Sequence, residues 1–193
     1  MKNWLVALVF LAGTTGSIAQ IETPRNAITT SRVLQPLGWE GFCEHYDCDF
    51  KPTIPVRIKY AEFREIIETV NRRVNESIVP MTDREQWQVA DQWDFPDSGA
   101  GDCEDYAILK QQMLIEAGIP RQALLLTVVL DYQGEGHAVL TVVTDQGDYI
   151  LDNMSPNVTL WRETGYRFVK RQSQRQQRHW VGIRHTPMLT AQR

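Results

Sequence analysis

An α+β fold is expected from three features of this chain. A strongly amphipathic helical pattern fills residues 60–79, and a second helical pattern begins at Cys103. From residue 123 onward, apolar β-rich runs alternate with short turn-bearing stretches. Helices followed by successive strands favour an antiparallel sheet with helices packed against it.

The elements follow in order. Lys2 precedes an apolar run over residues 4–12, and Ser17-Ile18-Ala19 places small residues at the −3 and −1 positions of a cleavage site. Residues 1–19 therefore read as a secretory signal peptide, cut after Ala19, with an uncleaved N-terminal anchor as the alternative. The apolar run is much shorter than the ~20 residues that span a bilayer. No other segment is apolar enough to span one, so no stable membrane span is expected after cleavage, and the compartment is periplasmic or secreted. Removing residues 1–19 takes away Lys2 and no acid, which leaves 19 basic against 24 acidic residues and a net charge of −5. A chain with that balance does not suit nucleic acid as a partner.

Residues 20–58 are rich in Pro, Gly and Thr and lack a sustained period, so they read as an extended N-terminal segment. Cys43 and Cys48 lie within it, and in an oxidising compartment a disulfide closing this small loop is expected. The alternative is a metal site using Cys43, His45 and Cys48, which would need a fourth ligand. Residues 59–182 are expected to form the core domain, and residues 183–193 a C-terminal tail.

In residues 60–79, Phe63, Ile66, Ile67, Val70, Val74 and Ile78 keep the helical period, and Pro80 ends it. Residues 80–101 form a long connection carrying Trp87, Trp93, Pro96 and Gly99. A connection of this length is expected to line a site. Trp87 and Trp93 are then either walls of a substrate groove or caps on the core. The second helix runs from Cys103 to Ala117, with Gly118 after its end and Pro120 blocking continuation. Strands are expected over residues 123–130, 137–144, 149–152 and 166–171, with a hairpin turn at 145–148 and a polar, exposed stretch at 172–178.

Three positions carry chemistry. Cys103 stands at a helix start, where the dipole and free N–H groups favour a thiolate and can form part of an oxyanion hole. His137 opens a strand directly after Gly136, and Asp152 ends the next strand. Antiparallel pairing is expected to set Asp152 opposite His137, close enough to accept its ring N–H. Nucleophile, base and orienter are the three parts of a thiol peptidase. Asp102, Glu104 and Asp105 surround the thiol, and like charges oppose its ionisation. Either they cap the helix and complement its dipole, or they hold a hard cation such as Ca²⁺.

The motif Gly101-Asp102-Cys103-Glu104-Asp105-Tyr106-Ala107, with Gly136-His137-Ala138 and Leu151-Asp152-Asn153, resembles the bacterial transglutaminase-like cysteine proteinases. That family shares a papain/transglutaminase-like core and includes LapG-type periplasmic proteases that cleave biofilm adhesins. The likeness covers roughly residues 36–182. It implies Cys103 as nucleophile, His137 as base and Asp152 as orienter, the nucleophile sitting at a helix N-terminus packed on an antiparallel sheet. It also implies a Ca²⁺ site mapping onto Asp102, Glu104 and Asp105. The expected activity is a cysteine peptidase or amidase working through an acyl-enzyme, on a protein or peptide substrate such as a cell-surface or periplasmic protein. Two rival readings stand beside it: a transglutaminase or deamidase acting on glutamine side chains, and a non-enzymatic binding module on the same fold.

Overall fold

A buried helix lies between a second helix and a seven-stranded sheet, and that placement follows from the apolar patterns. The computed structural model describes residues 24–48 and 51–184. The expected signal peptide and nearly all of the expected C-terminal tail lie outside the described residues. No helix among the described residues is long and apolar enough to cross a membrane.

The elements are β1 (Thr29–Val33), α1 (Leu37–His45), α2 (Tyr60–Ser77), β2 (Val79–Pro80), α3 (Asp83–Gln86) and β3 (Ala100–Gly101), then α4 (Cys103–Glu116), β4 (Leu124–Leu130), β5 (Gly136–Thr144), β6 (Gly147–Leu151), β7 (Thr159–Leu160), β8 (Arg167–Gln172) and β9 (Trp180–Ile183). The main sheet has the order β1-β9-β8-β4-β5-β6-β7 and is antiparallel throughout. The short β2–β3 pair is parallel, and Ile58 makes an isolated parallel bridge to Thr144. The α+β expectation holds.

The stripe on α2 behaves as its period requires. Ile67, Val70 and Val74 are buried, as is Ile78 just past the helix end, while the charged positions between them face out. Helix α4 lies between α2 and strands β4 and β5. It is buried on nearly every side, including its polar residues Glu104, Asp105, Lys110 and Gln111. A helix surrounded in this way removes carboxylates from water, which matters at the site.

Two expectations need correction. Residues 20–58 are not simply extended, because they contain β1 and α1. Helix α1 is held by aromatic packing, not by a long stripe. Trp39 meets Trp93 at 6.0 Å and Trp180 at 6.3 Å, both edge-on. Gly38 is required there, since a Cβ would fall 2.1 Å from the Trp93 ring. The stretch 172–178 is not uniformly exposed either. Gln172 and Gln177 are buried, and both serve the backbone of β4, Gln177 donating to Leu124 O and Gln172 accepting from Leu126 N.

The Cys43–Cys48 disulfide is present and ties the last turn of α1 to the residues beyond it. Closing so short a loop restricts the unfolded chain by about 2 kcal/mol. The double variant Cys43→Ser with Cys48→Ser is expected to lose about that much stability, read as a lower urea midpoint.

Candidate active site

Cys103 is the first residue of α4, and its surroundings follow from how that helix begins. Gly101 precedes it, and an added Cβ there would sit 2.5 Å from Asp105 Oδ2. The glycine therefore lets Asp105 fold back over the helix start. Asp105 Oδ2 accepts from Asp102 N at 3.4 Å, and its Oδ1 accepts from Asp94 N at 2.9 Å. Asp105 thus caps α4 and pins the 80–101 connection to it.

The thiol of Cys103 donates to Glu104 Oε2 at 3.1 Å and accepts from Ala138 N at 3.3 Å. Burial, then the Glu104 carboxylate, push the Cys103 pKa well up. Glu104 thus acts as the sequence expects of the acids beside the thiol, opposing its ionisation against the pull of the helix N-terminus.

His137 and Asp152 meet as expected, but by a different route. His137 Nε2 lies 2.9 Å from Asp152 Oδ1, and both side chains are buried. The hairpin turn holds only Asp145 and Gln146, because Thr144 pairs with Gly147. The last pair is Leu140 with Leu151, so Asp152 continues opposite Val139, not His137. His137 and Val139 share a face, and Asp152 is the diagonal neighbour that aspartate and imidazole can bridge. Met154 N donates to Asp152 Oδ1 at 2.9 Å, and the Tyr166 hydroxyl donates to Oδ2 at 2.6 Å. Burial would raise the Asp152 pKa, but these donors outweigh it and the carboxyl sits below its ordinary value.

Cys103 and His137 line one cavity of about 270 Å³ together with Trp93, Asp91, Val128 and Lys170. Trp93 serves both roles anticipated for it, as a buried core residue and a cavity wall. Trp87 is 44% exposed and lies outside this cavity. Lys110, one turn beyond Tyr106 on α4, is almost fully buried, and burial lowers its pKa to about 7 against the pull of Asp152.

The acids divide differently from the expected trio. Asp102, Glu104 and Asp105 do not converge as a set among the described residues. Asp83, Asp91 and Glu104 bring ligand atoms within 4.8 Å of one another, as do Asp83, Asp102 and Asp105, and also Asp102, Cys103 and Glu104. Asp83 and Asp91 were missed because they lie upstream, in the connection expected to line a site. Its aspartates Asp83, Asp91, Asp94 and Asp97 were the available signal. Buried Asp83 Oδ1 and Asp102 Oδ1 have no hydrogen-bond partner. Burial, with the charges of Asp102, Asp91 and Asp94, raises Asp83 to about 6. Burial with Asp102 and Asp83 raises Asp105 to about 7, and burial with Asp102 raises Glu104 further. Orphaned carboxylate oxygens with raised pKa values are a donor set that fits a hard cation.

A sequence model of the family described as bacterial transglutaminase-like cysteine proteinase BTLCP matches residues 29–188. Among solved structures, Legionella pneumophila LapG is similar at 25% identity, covering 61% of this chain and 68% of that one with a TM-score of 0.53. Its EGTA-treated form matches at 27% identity over 56% of this chain and 62% of that one, TM-score 0.50. Its calcium-bound form shares the fold at 21% identity, over 66% of this chain and 72% of that one, TM-score 0.52. No protein of curated description matches the chain.

Proposed function

This chain belongs to the bacterial transglutaminase-like cysteine proteinase family, and from that premise we propose that it hydrolyses amide bonds of a protein substrate through Cys103, His137 and Asp152. The observation that carries the reading is the His137 Nε2–Asp152 Oδ1 bond beside a cavity that Cys103 shares. With Nε2 engaged by the carboxylate, Nδ1 is the nitrogen left for the thiol. A helix-borne cysteine against an antiparallel sheet bearing His and Asp suits a papain/transglutaminase-like core.

In the proposed reaction, His137 takes the Cys103 proton as Sγ attacks the substrate carbonyl carbon. The C–N bond breaks, and the amine leaves with that proton. Water then attacks the thioester, giving up a proton to His137, and the acid departs as the thiol is restored. Asp152 keeps the imidazole in the tautomer and orientation this needs.

Calcium is part of the reading, supported by the buried orphan oxygens of Asp83 and Asp102 and by the calcium-bound form of Legionella pneumophila LapG. Asp83, Asp91, Asp102 and Glu104 would hold it. Bound there, Ca²⁺ supplies positive charge beside the thiol. With that charge present, Glu104 would oppose thiolate formation less than it does alone.

Stability should reveal the same charge balance. An acid whose folded pKa is raised binds more protons folded than unfolded, so ionising it costs stability as pH rises. Asp83 at about 6, Asp105 at about 7 and Glu104 higher still therefore make the chelated protein lose stability from the ordinary carboxylate range up past neutrality. Millimolar calcium is expected to raise Tm, and by more at about pH 8 than at about pH 5. A Tm indifferent to calcium at both pH values would leave these acids as caps only.

We place the protein outside the cytoplasm, periplasmic or secreted, a reading supported by residues 1–19 and by the Cys43–Cys48 disulfide. The activity test is product analysis by mass spectrometry, with candidate surface proteins incubated with and without a primary amine. Fragments bearing new carboxyl termini are expected. Amine adducts or glutamine-to-glutamate conversion without fragments would instead identify a transglutaminase or deamidase.

A further inference from the structure

We propose that Tyr166 is a positioning residue for this reaction: its hydroxyl fixes Asp152 so that the carboxylate can hold His137. The inference rests on the peptidase reading and names a residue that the sequence pattern does not mark.

Asp152 has two carboxylate oxygens with separate duties. Oδ1 accepts from His137 Nε2 and Met154 N, both at 2.9 Å. Oδ2 is held by the Tyr166 hydroxyl at 2.6 Å. Without that bond the carboxylate is held at one oxygen and can rotate about χ2, which is a broad, soft torsion. Rotation would carry Oδ1 off the imidazole. The Tyr166 ring also stands edge-on to His137, with centroids 5.7 Å apart at 74°. One side chain thus touches both the base and its orienter.

The fold builds this contact deliberately at the start of β8. Tyr166 N donates to Thr164 Oγ1, and Gly165 has φ +75°. Tyr132, from the β4–β5 loop, occupies the space a Cβ on Gly165 would need, at 2.7 Å. Its ring lies 5.2 Å from that of Tyr166, and its hydroxyl donates to Thr164 O. Tyr132 is 75% exposed, so it covers Tyr166 from the solvent side. The ionisable groups that face this set are His137 on β5, Asp131 and Tyr132 from the β4–β5 loop, and Lys110 on α4.

The test uses the full chain with calcium held fixed and iodoacetamide as the probe, read as the alkylation rate of Cys103 across pH by mass spectrometry. Tyr166→Phe keeps the ring and removes only the hydroxyl. It is expected to slow alkylation about tenfold at neutral pH, where the thiol depends on His137 to take its proton, and to have a much smaller effect at high pH, where hydroxide takes that proton instead. In an Asp152→Ala background the same change is expected to have no further effect, since Tyr166 acts through Asp152. A wild-type rate in Tyr166→Phe would overturn the proposal, as would an equal slowing in both backgrounds, which would mark a structural role. If Cys103 behaves as a free thiol and Asp152→Ala changes nothing, the peptidase reading itself falls and takes this proposal with it.

Discussion

Cys103→Ala is expected to abolish turnover while the protein stays folded. The substitution deletes one sulfur atom, which donates to Glu104 and accepts from Ala138 N without filling an apolar core position. Tm should therefore shift by no more than a few degrees, whereas loss of a covalent nucleophile costs roughly 10³-fold or more in rate. Cys103→Ser should be nearly as inactive, because a hydroxyl beside Glu104 is harder to ionise than a thiol. No other free cysteine exists among the described residues to take over, as Cys43 and Cys48 are joined. The measurement is fragment yield from a substrate protein, with the melting curve of each variant alongside. Cleavage persisting in folded Cys103→Ala would place the nucleophile elsewhere and end the triad assignment.

What the sequence revealed depended on how much each element relies on its own pattern. Helix α2 and strands β4 and β5 were legible because each buries a long periodic or continuous apolar face. Helix α1 was not, since it carries two glycines and is stabilised by Trp93 and Trp180 from distant segments. Strand β9 is short and sits beside a polar run, and its pairing with β1 and β8 decides it. At the site, Cys103, His137 and Asp152 could be found because each stands in a local motif. Their relation was misjudged, because register is set by a two-residue turn that the Asp145–Asp148 stretch disguises. Asp83 and Asp91 join the acids only through the folding back of a long connection. Tyr166 meets Asp152 across the sheet, and a tyrosine at a strand start gives no local sign of that.

Arg171→Met is expected to destabilise the protein by about 3 kcal/mol, a fall in Tm of roughly 6–12 °C, without altering the site. Arg171 on β8 donates from its guanidinium to Asp148 Oδ2 at 2.7 Å, with Asp148 fully buried. Asp148 also accepts from Asn26 Nδ2 and Ala27 N, so it anchors the N-terminal segment to the hairpin. Removing the cation leaves a buried carboxylate with two neutral donors and no counter-charge, the costly way to break such a pair. Replacing both partners, as Asp148→Asn with Arg171→Met, should recover part of the loss. Asp148 and Asp152 lie four positions apart along β6 and its extension, about 13 Å by strand rise. The ion pair thus holds the turn end of the hairpin, while His137 and Asp152 hold the other. Cys103 in Arg171→Met should accordingly alkylate at the wild-type rate below the melting transition. A slowed rate in the folded variant would mean that the site depends on the whole length of the hairpin, not on its local bonds.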